Sequence, residues 1–160
     1  MRIERSGVVK QLGLGWNWKD LTVGEQFITG GRTIFEADVV NFVALSGMTE
    51  ELFTNKEYIA SHAAMRGGHP VPGALVYSFA EGLVLPLTLR GSGVAFLSME
   101  LDIKGPTYVG DTIHVEIEVS EIKPTSKDPK RALVRTANTV KNQKGEVLQV
   151  YTPLRLMQGR

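Results

Sequence analysis

The sequence predicts an α+β domain in which an antiparallel β-sheet wraps around one long central α-helix. Three observations predict it. Ala74 to Leu85 is apolar nearly all the way round, the pattern of a helix enclosed by other elements. From Leu97 the period changes to two, with Leu97, Met99, Leu101 and Ile103 alternating with Ser98, Glu100, Asp102 and Lys104. Ile113, Val115, Ile117 and Val119 alternate in the same way with His114, Glu116, Glu118 and Ser120. Half-buried strands need a cover, and the long helix is the only element apolar enough to provide it. That helix is apolar on more sides than one sheet covers, which favours a homodimer.

Along the chain, residues 1–18 have weak periodicity and read as an N-terminal arm. Trp16 and Trp18 flank Asn17, so an extended chain puts both indoles on one face to pin the arm. Asp20 to Gly24 reads as a turn, and Phe27 to Ile34 as a strand bent at Gly30-Gly31. Thr33 with Glu36 has capping-box spacing, Val39, Phe42 and Val43 form a helical stripe, and Gly47 is a stop. Residues 48–72 are irregular, with a helical turn around Asn55 to His62 and a loop from Arg66 to Gly73. Pro86 should end or kink the long helix. Residues 123–131 form a polar loop, Ala132 to Lys141 a strand, Asn142 to Gly145 a tight turn and Val147 to Met157 a last strand. Pro153 puts an edge or a bulge in that last strand.

Composition excludes several functions. The 160 residues suit one domain, and 42% hydrophobic content suits a packed core. The chain has no cysteine, so it has no disulfide framework and no thiolate nucleophile. Lys+Arg number 18 against 17 Asp+Glu, a balance that argues against a phosphate-binding nucleic-acid partner. The start, Met1 to Ser6, is not followed by a long apolar stretch and does not read as a secretory signal. Gly73 to Leu89 is interrupted by Ser78, Glu81, Gly82 and Pro86, whereas a membrane span needs about 20 apolar residues. The expected address is the cytoplasm. His62, His69 and His114 have no metal-ligand spacing, so no metal is expected.

Four strings in this order resemble the hot-dog fold, and more narrowly the MaoC-like dehydratases with their (R)-specific enoyl-CoA hydratases. Thr33 to Gly47 is similar to the helix before the family's active-site loop. Val71 to Leu83 is similar to the start of the central helix, Gly105 to Thr112 to a turn between sheet strands, and Lys141 to Val147 to the last hairpin. The resemblance runs from about Trp18 to Met157 and implies a single hot-dog domain over residues 19–160. It implies an acyl-CoA or other acyl thioester as substrate, and no cofactor beyond the coenzyme A that the substrate carries.

The family's loop runs Ser-Gly-Asp-x-Asn-Pro-x-His-x-Asp, and its Asp and His activate water. Here the run is Ser46-Gly47-Met48-Thr49-Glu50-Glu51-Leu52-Phe53-Thr54-Asn55. Met48 stands in the place of the acid and Phe53 in the place of the imidazole. Neither moves a proton, and general acid–base catalysis typically contributes about 10²–10⁴-fold.

Glu50 and His69 are therefore the candidate catalytic residues. A carboxyl beside Met48 and Phe53 is partly removed from water, as a general acid requires, although Glu50 and Glu51 also suit a solvated loop. His69 lies a few residues before the central helix, as a proton shuttle or as a hydrogen-bonding loop residue. Met48, Phe53, Asn55, Gly73 and Ala74 are the candidate substrate-binding residues. The resemblance implies that the thioester carbonyl is held at the start of the central helix, where amides are unpaired and the dipole is positive. The alternative is that Pro72-Gly73 is only a helix start. Glu81 reads either as the central-helix carboxylate of a thioesterase or as a structural group, about two turns from Gly73. Three functions remain: hydration or dehydration with an altered acid–base pair, binding without turnover, and thioester hydrolysis.

Overall fold

The computed structural model describes residues 10–62 and 67–160. The first half of the arm, residues 1–9, and Arg66 of the loop lie outside the described residues. The strands are β1 (Gln26–Ile28), β2 (Arg32–Thr33), β3 (Gly93–Ser98), β4 (Leu101–Ile103), β5 (Thr112–Pro124), β6 (Arg131–Lys141), β7 (Val147–Tyr151) and β8 (Leu154–Gln158). The helices are α1 (Glu36–Ser46), α2 (Glu51–Thr54), α3 (Lys56–Ser61) and α4 (Gly73–Thr88). All pairings are antiparallel, and the sheet runs β1-β5-β6-β7-β4. β8 continues β7 along β6, and β3 continues β4 along β8. The result is a hot-dog fold with α4 on the inner face of the sheet.

The alternation in β5 explains that packing. Ile113, Val115, Ile117 and Val119 are all buried, and the first three share a core cluster with Leu75, Val76, Ala80 and Val84 of α4. Ala74, Ser78, Gly82 and Pro86 form an exposed stripe on the same helix. That stripe explains why Pro86 does not end α4, which continues to Thr88. The carbonyl freed by the proline belongs to Gly82, on the exposed side, where water can take the place of the missing amide.

Several boundaries differ from the sequence reading. Phe27 to Ile34 is two short strands, because Thr29 to Gly31 bends between them. Thr29 pairs its amide with the Val115 carbonyl at 2.9 Å and accepts the Val115 amide on its hydroxyl at 3.0 Å. α1 begins later than the Thr33–Glu36 spacing implies. Its N-cap is Phe35, whose amide donates to the Asp38 carboxylate at 2.8 Å. Glu36 is the first helical residue, so Asp38 is the acid placed to reach back, and the Thr33 hydroxyl bonds that of Thr112 instead.

The run read as one half-buried strand from Leu97 to Ile103 is broken at Met99-Glu100 into β3 and β4. Both are exposed on both faces. They form the outer margin of the sheet. Pro153 marks the break between β7 and β8.

The arm closes against the far end of α4. The Gly15 and Trp16 amides donate to the carbonyls of Arg90 and Thr88, both at 2.8 Å. Trp16 packs on Phe27 with ring centroids 4.7 Å apart, and the Trp18 indole donates to the Lys130 carbonyl at 2.9 Å.

Candidate functional site

The start of α4 is set by what precedes it. Residues 69–71 pair with 107–109: the Val71 amide donates to the Thr107 carbonyl at 2.8 Å, and the Val109 amide to the His69 carbonyl at 2.9 Å. Pro72 then caps the helix with extended ψ. The amides of Leu75 and Val76 turn back to the Pro72 carbonyl at 2.9 and 3.2 Å. Among the described residues, the amides of Gly73 and Ala74 have no acceptor. They sit at the positive end of a helix of 16 residues.

Gly73 has close side-chain neighbours. A Cβ there would lie 3.3 Å from Ile103 Cδ1 and 3.6 Å from Gln149 Nε2. Gln149, on β7, is 1% exposed, and its Nε2 donates to the Gly73 carbonyl at 2.8 Å. Its Oε1 is buried without a partner among the described residues. The sequence reading missed Gln149. Its only sequence signal is that it falls in phase with Tyr151 on a short apolar strand.

The loop residues have distinct surroundings. Met48 is exposed, and Phe53 packs against the core. Glu50 is the exposed N-cap of α2. The Asn55 side chain caps α3, accepting the amides of Glu57 and Tyr58, both at 3.1 Å. His69 lies 2.9 Å through Nε2 from the Phe53 carbonyl. That oxygen can only accept, so Nε2 carries a proton. Nδ1 is buried, unpaired among the described residues, and 3.7 Å from the Glu36 carboxylate. The structure thus brings His69 to Phe53, while no hydrogen bond or ion pair among the described residues joins Glu50 to His69. His62 is stacked on Tyr58 and bonded to the Tyr58 carbonyl, on α3.

Glu81 lies elsewhere. One of its oxygens accepts the Tyr151 hydroxyl at 2.9 Å and the other meets the Arg155 guanidinium. Burial, with the Glu81 carboxylate next in effect, pushes the Tyr151 hydroxyl well above its ordinary pKa. The same two causes raise Tyr77. A cavity of about 400 Å3 opens beside this group, between α4 and β3. Among the described residues no helix is long and apolar enough to cross a membrane. Nor do these residues include a cluster of three or more His, Cys, Asp or Glu that could hold a metal ion.

A sheet rolled round one helix, with free amides at the helix start, defines a hot-dog protein. Known proteins narrow the class. No family model matches the chain. Over 100 residues, 62% of its length, the chain is 30% identical to Protein MaoC of Klebsiella aerogenes. Over 109 residues, 67% of its length, it is 29% identical to the 3-hydroxybutyryl-CoA dehydratase of Methylorubrum extorquens. The aligned regions span 29% of the first relative and 66% of the second.

Among solved structures, the MaoC-like dehydratase of Rhodospirillum rubrum superposes with a TM-score of 0.81 at 26% identity, over 91% of this chain and 99% of that one. A double hotdog protein of Mycobacterium tuberculosis superposes with a TM-score of 0.83 at 20% identity, over 94% of this chain and 46% of that one. The chain is thus similar in sequence to these relatives and in fold to the MaoC-like dehydratase structure.

Proposed function

We propose that the chain is a MaoC-type hydratase or dehydratase of acyl thioesters, with acyl-CoA as substrate and an altered acid–base pair. The observation that carries this reading is the start of α4, where the Gly73 and Ala74 amides are free on a scaffold shared with dehydratases. Those amides take the thioester carbonyl oxygen and stabilise the negative charge that grows on it when water adds to or leaves the acyl chain. Met48 and Phe53 replace the family's acid and imidazole and leave a drier slot. Proton movement falls to Glu50, and to His69 through its free Nδ1. Coenzyme A arrives with the substrate, and no other cofactor takes part. The unit is a homodimer in the cytoplasm.

A second reading has its own support. The His69 ring is anchored to Phe53, its Nδ1 is buried, and Glu50 is exposed apart from it. That arrangement favours a protein that binds acyl thioesters without turnover, as a carrier or as the non-catalytic half of a pair. The third function, thioester hydrolysis by Glu81, has less support, because Glu81 is engaged by Arg155 and Tyr151 about two turns along α4 from Gly73.

One experiment separates the first two. Purified protein is incubated with crotonyl-CoA while enoyl absorbance is followed. Loss of absorbance that disappears in Glu50→Ala and His69→Ala supports the hydratase. Saturable binding without product supports the carrier, and failure to bind any acyl-CoA removes both.

A further inference from the structure

Gln149 holds a position that packing alone does not require. It lies on β7, between β4 and β6, opposite Ile103 on one side and Val140 on the other. Its backbone is therefore fixed by two neighbouring strands. From there a fully buried amide reaches across to the helix and donates to the Gly73 carbonyl at 2.8 Å. A helix carbonyl already has its own partner four residues on, so this is a second donor on the same oxygen. An apolar side chain would fill the space without leaving Oε1 buried and unpaired, which costs about 1–3 kcal/mol. The carbonyl that Gln149 holds belongs to the same rigid peptide plane as the Ala74 amide. In that plane the C=O and the N–H point in opposite directions. Fixing the Gly73 oxygen therefore fixes the line along which the Ala74 N–H points out of the helix.

We propose that Gln149 is a positioning residue of the acyl-thioester site: by holding the Gly73 carbonyl, it aims the free Ala74 amide of α4 at the thioester oxygen. This rests on the carbonyl-binding reading given above. Helix ends fray, and an oxyanion donor that swings loses most of its value, because its contribution depends on being in place before charge develops. The sheet supplies the rigidity that the first turn lacks. The glycine at position 73 lets this contact form closely, since its Cβ position lies 3.6 Å from Gln149 Nε2.

The test compares two ligands, butyryl-CoA and its thioether analogue S-butyl-CoA, which lacks only the carbonyl. Affinities are measured by calorimetry on the full chain and on two variants. Gln149→Met keeps the length and removes the donor. Gln149→Glu keeps the shape and, once ionised, cannot donate. Melting curves confirm that each variant is folded, and the Glu variant carries the test if the Met variant is not.

The wild type is expected to prefer the thioester by about 3- to 10-fold, the range of one net hydrogen bond. Both variants are expected to lose that preference while binding the thioether as the wild type does. The Glu variant is expected to recover it as falling pH protonates the new acid. Equal weakening toward both ligands, or a preference kept in both variants, overturns the role of Gln149 and leaves the helix-start site standing. A wild type that does not distinguish the two ligands removes the helix-start site, and the role of Gln149 with it.

Discussion

The Tyr151 hydroxyl donates to the Glu81 carboxylate at 2.9 Å, linking β7 to α4. Arg155 of β8 occupies the other oxygen of Glu81, and both sheet residues are buried. A buried pair is costly to break from one side, because the remaining charge has no water to turn to. Glu81→Leu is therefore expected to lower unfolding stability by about 3–5 kcal/mol. The double variant Glu81→Leu, Arg155→Met should cost less than the single one. Urea unfolding measures both. A fully folded Glu81→Leu protein that has lost more than about 100-fold in turnover would instead make Glu81 part of the chemistry.

Tyr151 adds a pH dependence. Burial and the Glu81 carboxylate raise its pKa in the folded state above the unfolded value, which lies near 10. Below about pH 10 the hydroxyl is protonated in both states, and its stabilising contribution is complete. Above that, the unfolded chain gives up the proton and the folded one does not, so stability falls as pH rises. The slope contributed by this group is at most about 1.4 kcal/mol per pH unit. Melting temperatures between pH 9 and 11 should fall less steeply in Tyr151→Phe than in the wild type (about one unit either side of the tyrosine value). Parallel slopes would contradict the account.

The sequence disclosed the elements whose pattern comes from burial. Ile113 to Val119 alternate because one face of β5 lies on α4, and that contact is written into the residues. Leu97 and Ile103 alternate just as clearly, yet both are exposed, because periodicity reports which residues share a face and not whether anything covers it. The start of α4 was legible in the Pro72-Gly73 junction, and the helix begins there. Gln149 was not, since its contact joins residues 76 positions apart and no local pattern encodes it. Asn55, read as a substrate contact, caps α3, a role that its spacing to Glu57 and Tyr58 also allows.

His69 offers a clean separation of strut from base. Its Nε2 donates to the Phe53 carbonyl, a bond that glutamine can also make. His69→Gln should therefore stay within about 1 kcal/mol of wild-type stability, whereas His69→Ala should lose about 1–2 kcal/mol by leaving that carbonyl without its donor. Turnover of crotonyl-CoA should fall by about 10²–10⁴-fold in both, because neither replacement accepts and returns a proton at neutral pH. If His69→Gln turns over as the wild type does, the imidazole only braces the loop.

Gly15 is where the arm meets the body. A Cβ on it would lie 2.5 Å from the backbone carbon and oxygen of Thr88, atoms that cannot rotate away. Gly15→Ala must therefore lift the arm and stretch the two amide bonds to Thr88 and Arg90. The expected loss is about 1–3 kcal/mol, the usual cost of overpacking, seen as a lower urea midpoint with an unchanged slope. Gly82→Ala is the control. Nothing lies within 4 Å of its Cβ position, and it sits in the exposed stripe of α4, so stability should hold or rise by up to about 1 kcal/mol.

The free margin formed by β3 and β4 carries the prediction about assembly. Val94, Phe96, Leu97, Leu101 and Ile103 are all exposed there, on a strand whose outer amides and carbonyls face open space. An uncovered apolar edge of this kind pairs or aggregates unless something blocks it, and among the described residues neither a proline nor a helix does. A second copy lying edge to edge would continue the sheet and shield these side chains together with Leu85 and Leu87 of α4. Sedimentation at micromolar concentration should therefore report twice the mass of the chain. Phe96→Glu with Leu97→Lys should convert it to a folded monomer, because both side chains are exposed in the single copy and their loss leaves no hole in its core. A wild type that sediments as a monomer at that concentration would refute this pairing.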